Sequence, residues 1–423
     1  MKAGWIGTGN MGVRMAERVV KAGFELNVYN RTASKAQRVL EAGNAVLCKS
    51  PAEIAEKSDI IFTSITNDDA MRAVMQGENG LMSQAHPGQI FVEMSTFSPY
   101  FSEELETMLN SKGILYLNAP VIGSMFMIEA GLLKIIASGN KEAYEAAKPY
   151  FEAIGKTHDY LGGQAQARYM KIAVNMMICS YLTIYGEVLA AGEAMGFGWD
   201  ELNDLLEASE GASPMLTDKG TLHRQRIWGS ETALTSTAYK DLGLALSVAS
   251  KANFPLPVTA AVCQYDNFMH FNPKYSAYST FGTIGLLEEL AGKKPGDFGD
   301  VKECTKERKA KSLGITLAGI TAMLAAEALS FCEKAGIEKN QALAYLGECH
   351  GASNYFKEAA RGMRTGNFED SLSICCIKEA MGEALEHGRN AGFFLPVTAV
   401  SSQKLNVFAG KYGEAAGLCS IFG

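Results

Sequence analysis

The chain opens with Ala3-Gly4-Trp5-Ile6-Gly7-Thr8-Gly9-Asn10-Met11-Gly12, a short apolar run followed by glycines with the spacing GxGxxG. A strand that turns through such a loop into a helix leaves free N–H groups and the positive end of the helix dipole beside the loop. The first glycine permits the turn, the second lets a pyrophosphate approach, and the third allows close helix–strand packing. The segment therefore predicts a dinucleotide-binding loop, although the motif alone also fits a Gly-rich turn with a structural role.

Beyond this loop, short apolar runs alternate with helical patterns up to about residue 160. The runs are 3–6, 25–29, 60–64, 89–93 and 115–117, and the helical patterns between them include 11–22, 34–42, 51–56 and 101–110. Strands that alternate with helices imply parallel βαβ units. We therefore predict an N-terminal α/β domain of the Rossmann type, with a doubly wound sheet, over residues 1–162.

From about residue 164 the pattern is helical, and it repeats at a nearly fixed offset. Five residues recur 140 positions later, and the segment 256–259 (LPVT) recurs at 395–398. The recurring residues are Lys171, Glu187, Leu189, Glu193 and Gly196, matched by Lys311, Glu327, Leu329, Glu333 and Gly336. Collinear self-similarity of this kind indicates a duplicated unit. We predict an all-α domain present in two tandem copies, 163–295 and 296–423.

A Gly-, Pro- and charge-rich stretch, 291–311, separates the two copies. Its composition predicts a linker. The alternative is an exposed connection between two helices of one domain.

Composition excludes several classes of protein. The 423 residues carry a net charge of −7, which does not favour binding to nucleic acid or an anionic membrane. No membrane-spanning stretch or leader is recognisable. The nine cysteines form no CxxC pair and the six histidines are scattered, which predicts reduced thiols, a cytoplasmic location and no metal site.

The end of the second predicted strand favours one nicotinamide cofactor over the other. NAD sites usually place Asp or Glu there for the ribose 2′-hydroxyl, but this chain has Tyr29-Asn30-Arg31-Thr32. The Arg31 guanidinium suits a 2′-phosphate, with Thr32 as a second donor. The sequence therefore predicts NADP(H) over NAD(H), unless Arg31 is a solvated loop residue and cofactor choice is set elsewhere.

Four motifs make the chain resemble the β-hydroxyacid dehydrogenase family. This family includes 3-hydroxyisobutyrate dehydrogenases and glyoxylate/succinic semialdehyde reductases, and it is related to 6-phosphogluconate dehydrogenase. The motifs are 7–12 (GTGNMG) with 30–32 (NRT), 93–96 (EMST), 118–124 (NAPVIGS), and 171–175 (KIAVN) with 240–242 (KDL). The resemblance covers about residues 1–290.

The resemblance implies an oxidoreductase that interconverts a small β-hydroxy acid and its aldehyde or keto acid, and it also implies the site residues. Cofactor contacts are expected from Gly7, Thr8, Gly9, Asn10, Met11, Gly12, Asn30, Arg31, Thr32, Ile65, Thr66 and Thr96. Substrate contacts are expected from Ser95, Thr96, Ile122, Gly123, Ser124 and Lys240.

Lys171 and Asn175 form the predicted catalytic pair. They are four residues apart on a predicted helix and share one face. Hydride transfer to a carbonyl carbon leaves negative charge on oxygen, and a buried lysine with a lowered pKa can supply the proton there. Lys171 could instead reach solvent from an apolar helix. Likewise, Lys240 is either a carboxylate anchor or an exposed helical lysine.

Several positions depart from the family pattern. The usual serine of the substrate loop is Ile122, the aspartate that opens this loop is Asn118, and the glycines expected before the lysine are Ala165 and Ala167. These changes affect the expected substrate more than the expected chemistry.

The second copy lacks the catalytic pair, because the residue four positions after Lys311 is Ile315. Helical domains of the family pack in dimers, so the resemblance implies that the second copy substitutes for a partner subunit within the chain. We therefore expect an intrachain pseudo-dimer, as a monomer or a loose oligomer.

Two other functions remain open. The first is imine reduction on a related scaffold, against which the presence of Lys171 argues. The second is a cofactor-binding sensor without turnover, for which Ile122 is the best support.

Overall fold

The computed structural model describes residues 1–163, 165–229 and 235–423, with only the backbone described at 218–220. These residues form two compact units, Met1–Lys171 and Ile172–Gly423. The boundary falls inside one long helix. The predicted three-part division of the chain stays a prediction.

The first unit is built on a nine-stranded sheet. Its strands are β1 Ala3–Ile6, β2 Leu26–Tyr29, β3 Ala45–Leu47, β4 Ile60–Thr63, β5 Ile90–Glu93, β6 Leu115–Asn118, β7 Val121–Ile122, β8 Lys134–Gly139 and β9 Thr157–Tyr160. They lie in the order β3-β2-β1-β4-β5-β6-β8-β7, and β9 pairs with β8. The first six strands are parallel, whereas β8 runs antiparallel to β6 and β7. The predicted α/β architecture is confirmed.

Helices fill the connections between these strands. They are α1 Asn10–Lys21, α2 Gln37–Glu41, α3 Pro51–Lys57, α4 Asp68–Gln76, α5 Pro99–Asn110, α6 Met125–Glu129 and α7 Lys141–Ile154, followed by α8 Gln166–Ala194, which crosses the unit boundary. Helix α5 begins sharply because the Ser98 hydroxyl accepts from the Phe101 N–H and Pro99 occupies the first turn. Trp5 and Phe62, both fully buried, stack in the core of the sheet.

The second unit is helical, as predicted, and its helices fall into two series. The first continues from α8 through α9 Trp199–Glu207, α10 Pro214–Arg224, α11 Thr235–Lys251, α12 Pro257–Phe271 and α13 Thr283–Leu290. The second comprises α14 Glu303–Lys334, α15 Lys339–Gly347, α16 Asn354–Thr365, α17 Ile374–Ala391 and α18 Pro396–Tyr412. Both series begin with a very long helix and place a proline at the start of their fifth helix.

The predicted linker 291–311 is too long. Helix α14 begins at Glu303, so residues 303–311 form its first turns. The charged run there is rich in Lys, Arg and Glu, which are good helix formers. The non-helical part is tied down, since the Val301 N–H donates to the Gly196 carbonyl at 2.9 Å.

The two longest helices, α8 and α14, are apolar enough by length and composition to cross a membrane. Neither helix contradicts the sequence analysis, because the longest uncharged runs within them, 172–186 and 312–326, end at Glu187 and Glu327 and are shorter than a membrane span requires. In the structure 89% of the most hydrophobic window of each helix is buried, which is typical of a core helix in a globular protein.

Two buried glutamates join the two helical series reciprocally. The Glu187 carboxylate in α8 accepts from the N–H groups of Val397 and Thr398, both at 2.8 Å, at the start of α18. The Glu327 carboxylate in α14 accepts from Val258 N–H at 2.8 Å and from the following N–H at 3.0 Å, at the start of α12. Each glutamate thus satisfies free N–H groups at the start of a helix of the other series.

Candidate active site

The glycine loop after β1 has the geometry that a pyrophosphate requires. Gly7 has φ +98°, and a Cβ there would lie 2.2 Å from the Ser64 carbonyl oxygen. A Cβ on Gly12 would lie 2.2 Å from the Gly7 carbonyl oxygen, so the helix packs closely on the turn. A Cβ on Gly9 would meet nothing within 4 Å, so this side of the loop is open. The residues fit a dinucleotide at this position.

The predicted cofactor residues lie at one edge of the sheet. Residues 7–12 follow β1, residues 30–32 follow β2, Ile65 and Thr66 follow β4, and Thr96 follows β5. Because β2, β1, β4 and β5 are parallel neighbours, these segments share the carboxyl edge, where nucleotides bind in such sheets.

Asn30 supports the loop from the neighbouring strand. Its Oδ1 accepts from the Thr8 N–H at 2.9 Å, and its Nδ2 donates to the Thr32 carbonyl at 2.9 Å. Arg31 is exposed beside it and has no hydrogen bond or ion pair within the described part of the chain. Asn30 therefore shapes the loop, and the Arg31 guanidinium is available to a ligand.

The Ser95 side chain connects the ends of β4 and β5. Its Oγ accepts from the Ile65 N–H at 2.7 Å, and its own N–H donates to Glu93 Oε1 at 2.5 Å. Ser95 is buried and Thr96 is half-buried. Ser95 thus holds the cofactor-side loop in place, which leaves Thr96 as the more accessible of the two predicted substrate residues.

Arg168, which the sequence reasoning did not single out, lies at the centre of a buried polar network. Its guanidinium donates to Glu93 Oε2, to the Ser95 carbonyl, to Asn118 Oδ1 at 2.7 Å and to Ser102 Oγ at 3.1 Å. Glu93 and Arg168 are both fully buried. A charged residue three positions before Lys171 was the available signal, but its partner Glu93 lies 75 residues away and could not be inferred from the spacing.

Electrostatics keep Arg168 charged inside this unit. Burial opposes the charge, but the Glu93 carboxylate outweighs it and the pKa of Arg168 is raised. The Tyr116 hydroxyl donates to Asn118 Oδ1 at 3.0 Å. Burial, followed by the Glu93 charge, raises the pKa of Tyr116 and keeps this donor protonated.

The predicted substrate loop turns at Gly123, where φ is +142°. Ile122 is half-buried at the end of β7, whereas Gly123 and Ser124 are exposed. Ser124 is the N-cap of α6, and its Oγ accepts from the Met127 N–H at 3.4 Å. The loop therefore presents backbone N–H groups next to an apolar side chain.

Lys171 is buried at the end of the first unit, with only 9% of the residue exposed. Asn175 follows one turn later in α8 and belongs to the second unit, where its Nδ2 donates to Asp241 Oδ2 at 2.7 Å. Asp241 is itself buried. Asp241 stands inside the Lys-Asp-Leu motif, yet the sequence reasoning gave it no role.

Lys240 has an exposed side chain whose Nζ lies 3.1 Å from Asp241 Oδ1. This exposure fits both interpretations of Lys240, as an exposed helical lysine and as a carboxylate anchor at a solvent-accessible site. Within the described ranges, no group of three or more His, Cys, Asp or Glu could hold a metal ion.

Comparison with known families matches both units. The model described as the NAD-binding domain of 6-phosphogluconate dehydrogenase matches residues 2–162. The model described as NAD-binding of NADP-dependent 3-hydroxyisobutyrate dehydrogenase matches residues 163–272 and again 308–422.

Two kinds of curated relative are similar to about 62% of the chain. Glyoxylate/succinic semialdehyde reductase 1 of Arabidopsis thaliana is 31% identical over 261 residues, which is 62% of this chain and 90% of that protein. The cytokine-like nuclear factor N-PAC of Homo sapiens is 32% identical over 260 residues, 62% of this chain and 47% of that protein. The chain thus matches about half the length of the nuclear factor.

Solved structures show the same fold. A 3-hydroxyisobutyrate dehydrogenase from Mycobacterium tuberculosis, described with L-serine, aligns with TM-score 0.61 and 20% identity over 68% of this chain and 98% of its own. The 6-phosphogluconate dehydrogenase of Plasmodium falciparum aligns with TM-score 0.73 and 14% identity over 96% of this chain and 92% of its own. With both units matched by family models and the glycine loop shaped for a dinucleotide, the chain belongs to the β-hydroxyacid dehydrogenase family and contains a pyridine-nucleotide-binding domain.

Proposed function

We propose that the chain is an NADP(H)-dependent oxidoreductase that interconverts a small β-hydroxy acid and its aldehyde or keto acid. The observation that carries this proposal is a buried Lys171 in the same unit as an open, correctly shaped pyrophosphate loop. A semialdehyde reductase among the relatives supports a small carbonyl substrate. A cytoplasmic location and the absence of nucleic-acid and membrane partners stay predictions.

The bound nicotinamide would supply or accept the hydride at the carbonyl carbon of the substrate. Lys171 donates a proton to the carbonyl oxygen in reduction and removes it in oxidation. Within the second unit, the Asn175 amide is oriented by its bond to Asp241. In the first unit, the backbone N–H groups of Gly123 and Ser124, together with Thr96, bind the substrate acid, and Ile122 contacts its apolar part.

Preference for the phosphorylated cofactor rests on Arg31. It is exposed beside the glycine loop, at the strand end where an acidic residue would repel a 2′-phosphate. A guanidinium that is not engaged by another described residue can bind such a phosphate with two N–H groups.

We further propose that the two helical series are tandem copies that form a pseudo-dimer within the chain. The matching order of their helices, the repeated family match and the reciprocal Glu187 and Glu327 contacts support this proposal. Removal of residues from about 291 onward would expose an apolar face, so the shortened chain should aggregate or form a new dimer. Analytical ultracentrifugation that finds a stable, active monomer for this shortened chain would contradict it.

A substrate panel tests the proposed activity. Aldehydes, keto acids and hydroxy acids are offered with NADPH, NADH and their oxidised forms, and the absorbance of the reduced nicotinamide is followed. We expect steady oxidation of NADPH with at least one aldehyde or keto acid. Tight NADPH binding without turnover on any substrate would instead favour a cofactor-binding protein without catalysis, the alternative that the Ile122 replacement supports.

A further inference from the structure

We propose that Arg168 is a positioning residue that holds the end of β5, the start of the substrate loop and the first turn of α8 in one fixed arrangement. This inference rests on the proposed function for its catalytic consequence. It concerns contacts within the first unit alone, and it assigns a role to a residue whose side chain is fully buried among protein groups.

The Arg168 guanidinium binds four acceptors. Its Nη1 binds the Ser95 carbonyl, its Nη2 binds both Glu93 Oε2 and Asn118 Oδ1, and its Nε binds Ser102 Oγ. These acceptors belong to three separate segments: the end of β5 and the loop after it, helix α5, and the end of β6. Only a planar group with several N–H donors can satisfy such a set at once, and a lysine ammonium cannot reproduce it.

The segments that Arg168 holds lead to the predicted cofactor and substrate residues. Ser95 also accepts from the Ile65 N–H, so the carbonyl that binds Arg168 belongs to the residue that fixes the cofactor-side loop. Asn118 opens the segment 118–124, which leads into the predicted substrate loop. Arg168 therefore connects the loops expected to hold the cofactor and the substrate.

Arg168 belongs to the first turn of α8. It lies three residues before Lys171, so the two side chains project from neighbouring turns of one helix face. Fixing the Arg168 side chain to the sheet fixes the rotation and height of this first part of α8. The placement of the Lys171 ammonium relative to the sheet edge follows from it.

The buried network around Arg168 has no net charge. Glu93 and Arg168 are fully buried, and the Asn118 amide that shares the guanidinium is neutral, so the network contains one positive and one negative charge. Replacing a buried ion pair by neutral groups is often tolerated for stability, whereas breaking it from one side is not. Stability and positioning can therefore be separated by experiment.

The test compares three variants with the wild type: Arg168→Lys, Arg168→Met, and the double variant Glu93→Gln/Arg168→Met. We expect Arg168→Lys to lower kcat by about 10–100-fold, because sub-ångström misplacement of reacting groups is costly. NADPH affinity should fall by a smaller factor than kcat, because Arg168 holds the loop that carries Thr96 but does not contact the pyrophosphate loop 7–12. The double variant should recover most of the melting temperature lost by Arg168→Met but not the lost kcat.

Recovery of wild-type kcat in the double variant, or full activity of Arg168→Lys, would overturn the inference. Hydrogen exchange gives a readout that does not depend on turnover. We expect faster exchange in Arg168→Lys over residues 94–98 and 119–124, with α12 unchanged as an internal control. If the wild type itself shows no turnover, the proposed function fails, and unchanged exchange over both segments would then overturn the positioning role separately.

Discussion

Glu187 and Glu327 occupy equivalent positions 140 residues apart, and each binds the first N–H groups of a helix in the opposite series. Their remaining partners differ. Tyr265 donates its hydroxyl to Glu187 at 2.7 Å, whereas the equivalent position in the second series is Lys404, whose Nζ lies 2.8 Å from Glu327. The two junctions thus share a backbone pattern, but only the second contains an opposite charge. Burial outweighs the hydrogen bonds at the first junction and raises the pKa of Glu187.

This difference predicts unequal effects of the same substitution. Glu327→Gln leaves the Lys404 ammonium without its carboxylate in a mostly buried position, so we expect a loss of about 3 kcal/mol or more in the free energy of unfolding. Glu187→Gln keeps a neutral partner for the Tyr265 hydroxyl and should cost about 1–2 kcal/mol. Urea unfolding of both variants at neutral pH measures the difference. A larger loss for Glu187→Gln would contradict this account of the junctions.

The preference for NADPH over NADH is expected to depend on the Arg31 side chain. We expect Arg31→Ala to weaken NADPH binding by roughly 1.5–3 kcal/mol, the usual range for charge-assisted hydrogen bonds, with little effect on NADH. Fluorescence titration with both cofactors measures this. Lys156→Ala, which removes an exposed charge next to β9, is the matched control and should alter neither affinity. Equal losses for both cofactors in Arg31→Ala would place phosphate recognition elsewhere.

The chemical role of Lys171 has an internal control in the same chain. Lys171→Met keeps much of the stem and removes the ammonium, so we expect kcat to fall by about 10²–10⁴ while NADPH affinity is retained. Lys311→Met changes the lysine at the equivalent position of the second series, which is exposed at the start of α14, and should leave kcat unchanged. Steady-state kinetics on both variants decides the matter. A Lys171→Met enzyme with a tenth or more of wild-type turnover would mean that another group donates the proton.

Much of the fold could be predicted because local signals coincided with it. The apolar runs at residues 3–6 and 60–64 became β1 and β4 almost residue for residue, since both are buried central strands. By contrast, β3 has the exposed residues Val46 and Leu47 and sits at the sheet edge, and it lacked the composition of a buried strand. The predicted linker is too long because dense charge is typical of a loop but also suits an exposed helical turn, and residues 303–311 belong to α14.

Some residues of the candidate site could likewise be predicted from the sequence, and others could not. The glycine loop and the strand-end residues could be predicted because their spacing is itself the constraint. Arg168 and Asp241 could not, because each acts through partners distant in sequence: Arg168 lies 75 residues from Glu93, and Asp241 lies 66 residues from Asn175. A single sequence does not show which polar residues meet inside the fold.

Arg226 in the second unit pairs with two carboxylates, Glu288 and, at 3.7 Å, Glu193, and these carboxylates predict a pH dependence of stability. Burial, followed by the Glu288 charge, raises the pKa of Glu193 to about 8. A carboxyl whose pKa is higher in the folded state stabilises the fold below its unfolded pKa and loses that contribution as the pH rises through the folded value. The free energy of unfolding should therefore fall between about pH 5 and pH 8.

Removing this carboxyl should remove the dependence. We expect the free energy of unfolding of Glu193→Gln to fall less than that of the wild type between about pH 5 and pH 8. At pH 8 this variant should be more stable than the wild type by about 1 kcal/mol or more. Glu369→Gln, which changes an exposed carboxyl of the same unit, should keep the wild-type profile. Chemical unfolding at a series of pH values measures both profiles, and an unaltered slope in Glu193→Gln would assign the titration to another group.

Asn118 gives the last prediction, which concerns the neutral amide in the Arg168 network. Asn118→Asp would place a second carboxylate on one guanidinium that already neutralises Glu93, in a site with no solvent access. We expect a loss of about 3–5 kcal/mol at neutral pH, comparable to the cost of an uncompensated buried charge. The loss should shrink as the pH falls, because the pKa of the new carboxyl would be raised by burial and by Glu93, so that protonation restores a neutral group.

Asn67→Asp is the matched control, since the Asn67 side chain accepts from the Ala70 N–H at the exposed start of α4, and aspartate serves there equally well. Unfolding curves for both variants at pH 5 and pH 7 test the argument, and an Asn118→Asp protein as stable as the wild type at pH 7 would show that the network tolerates a second negative charge.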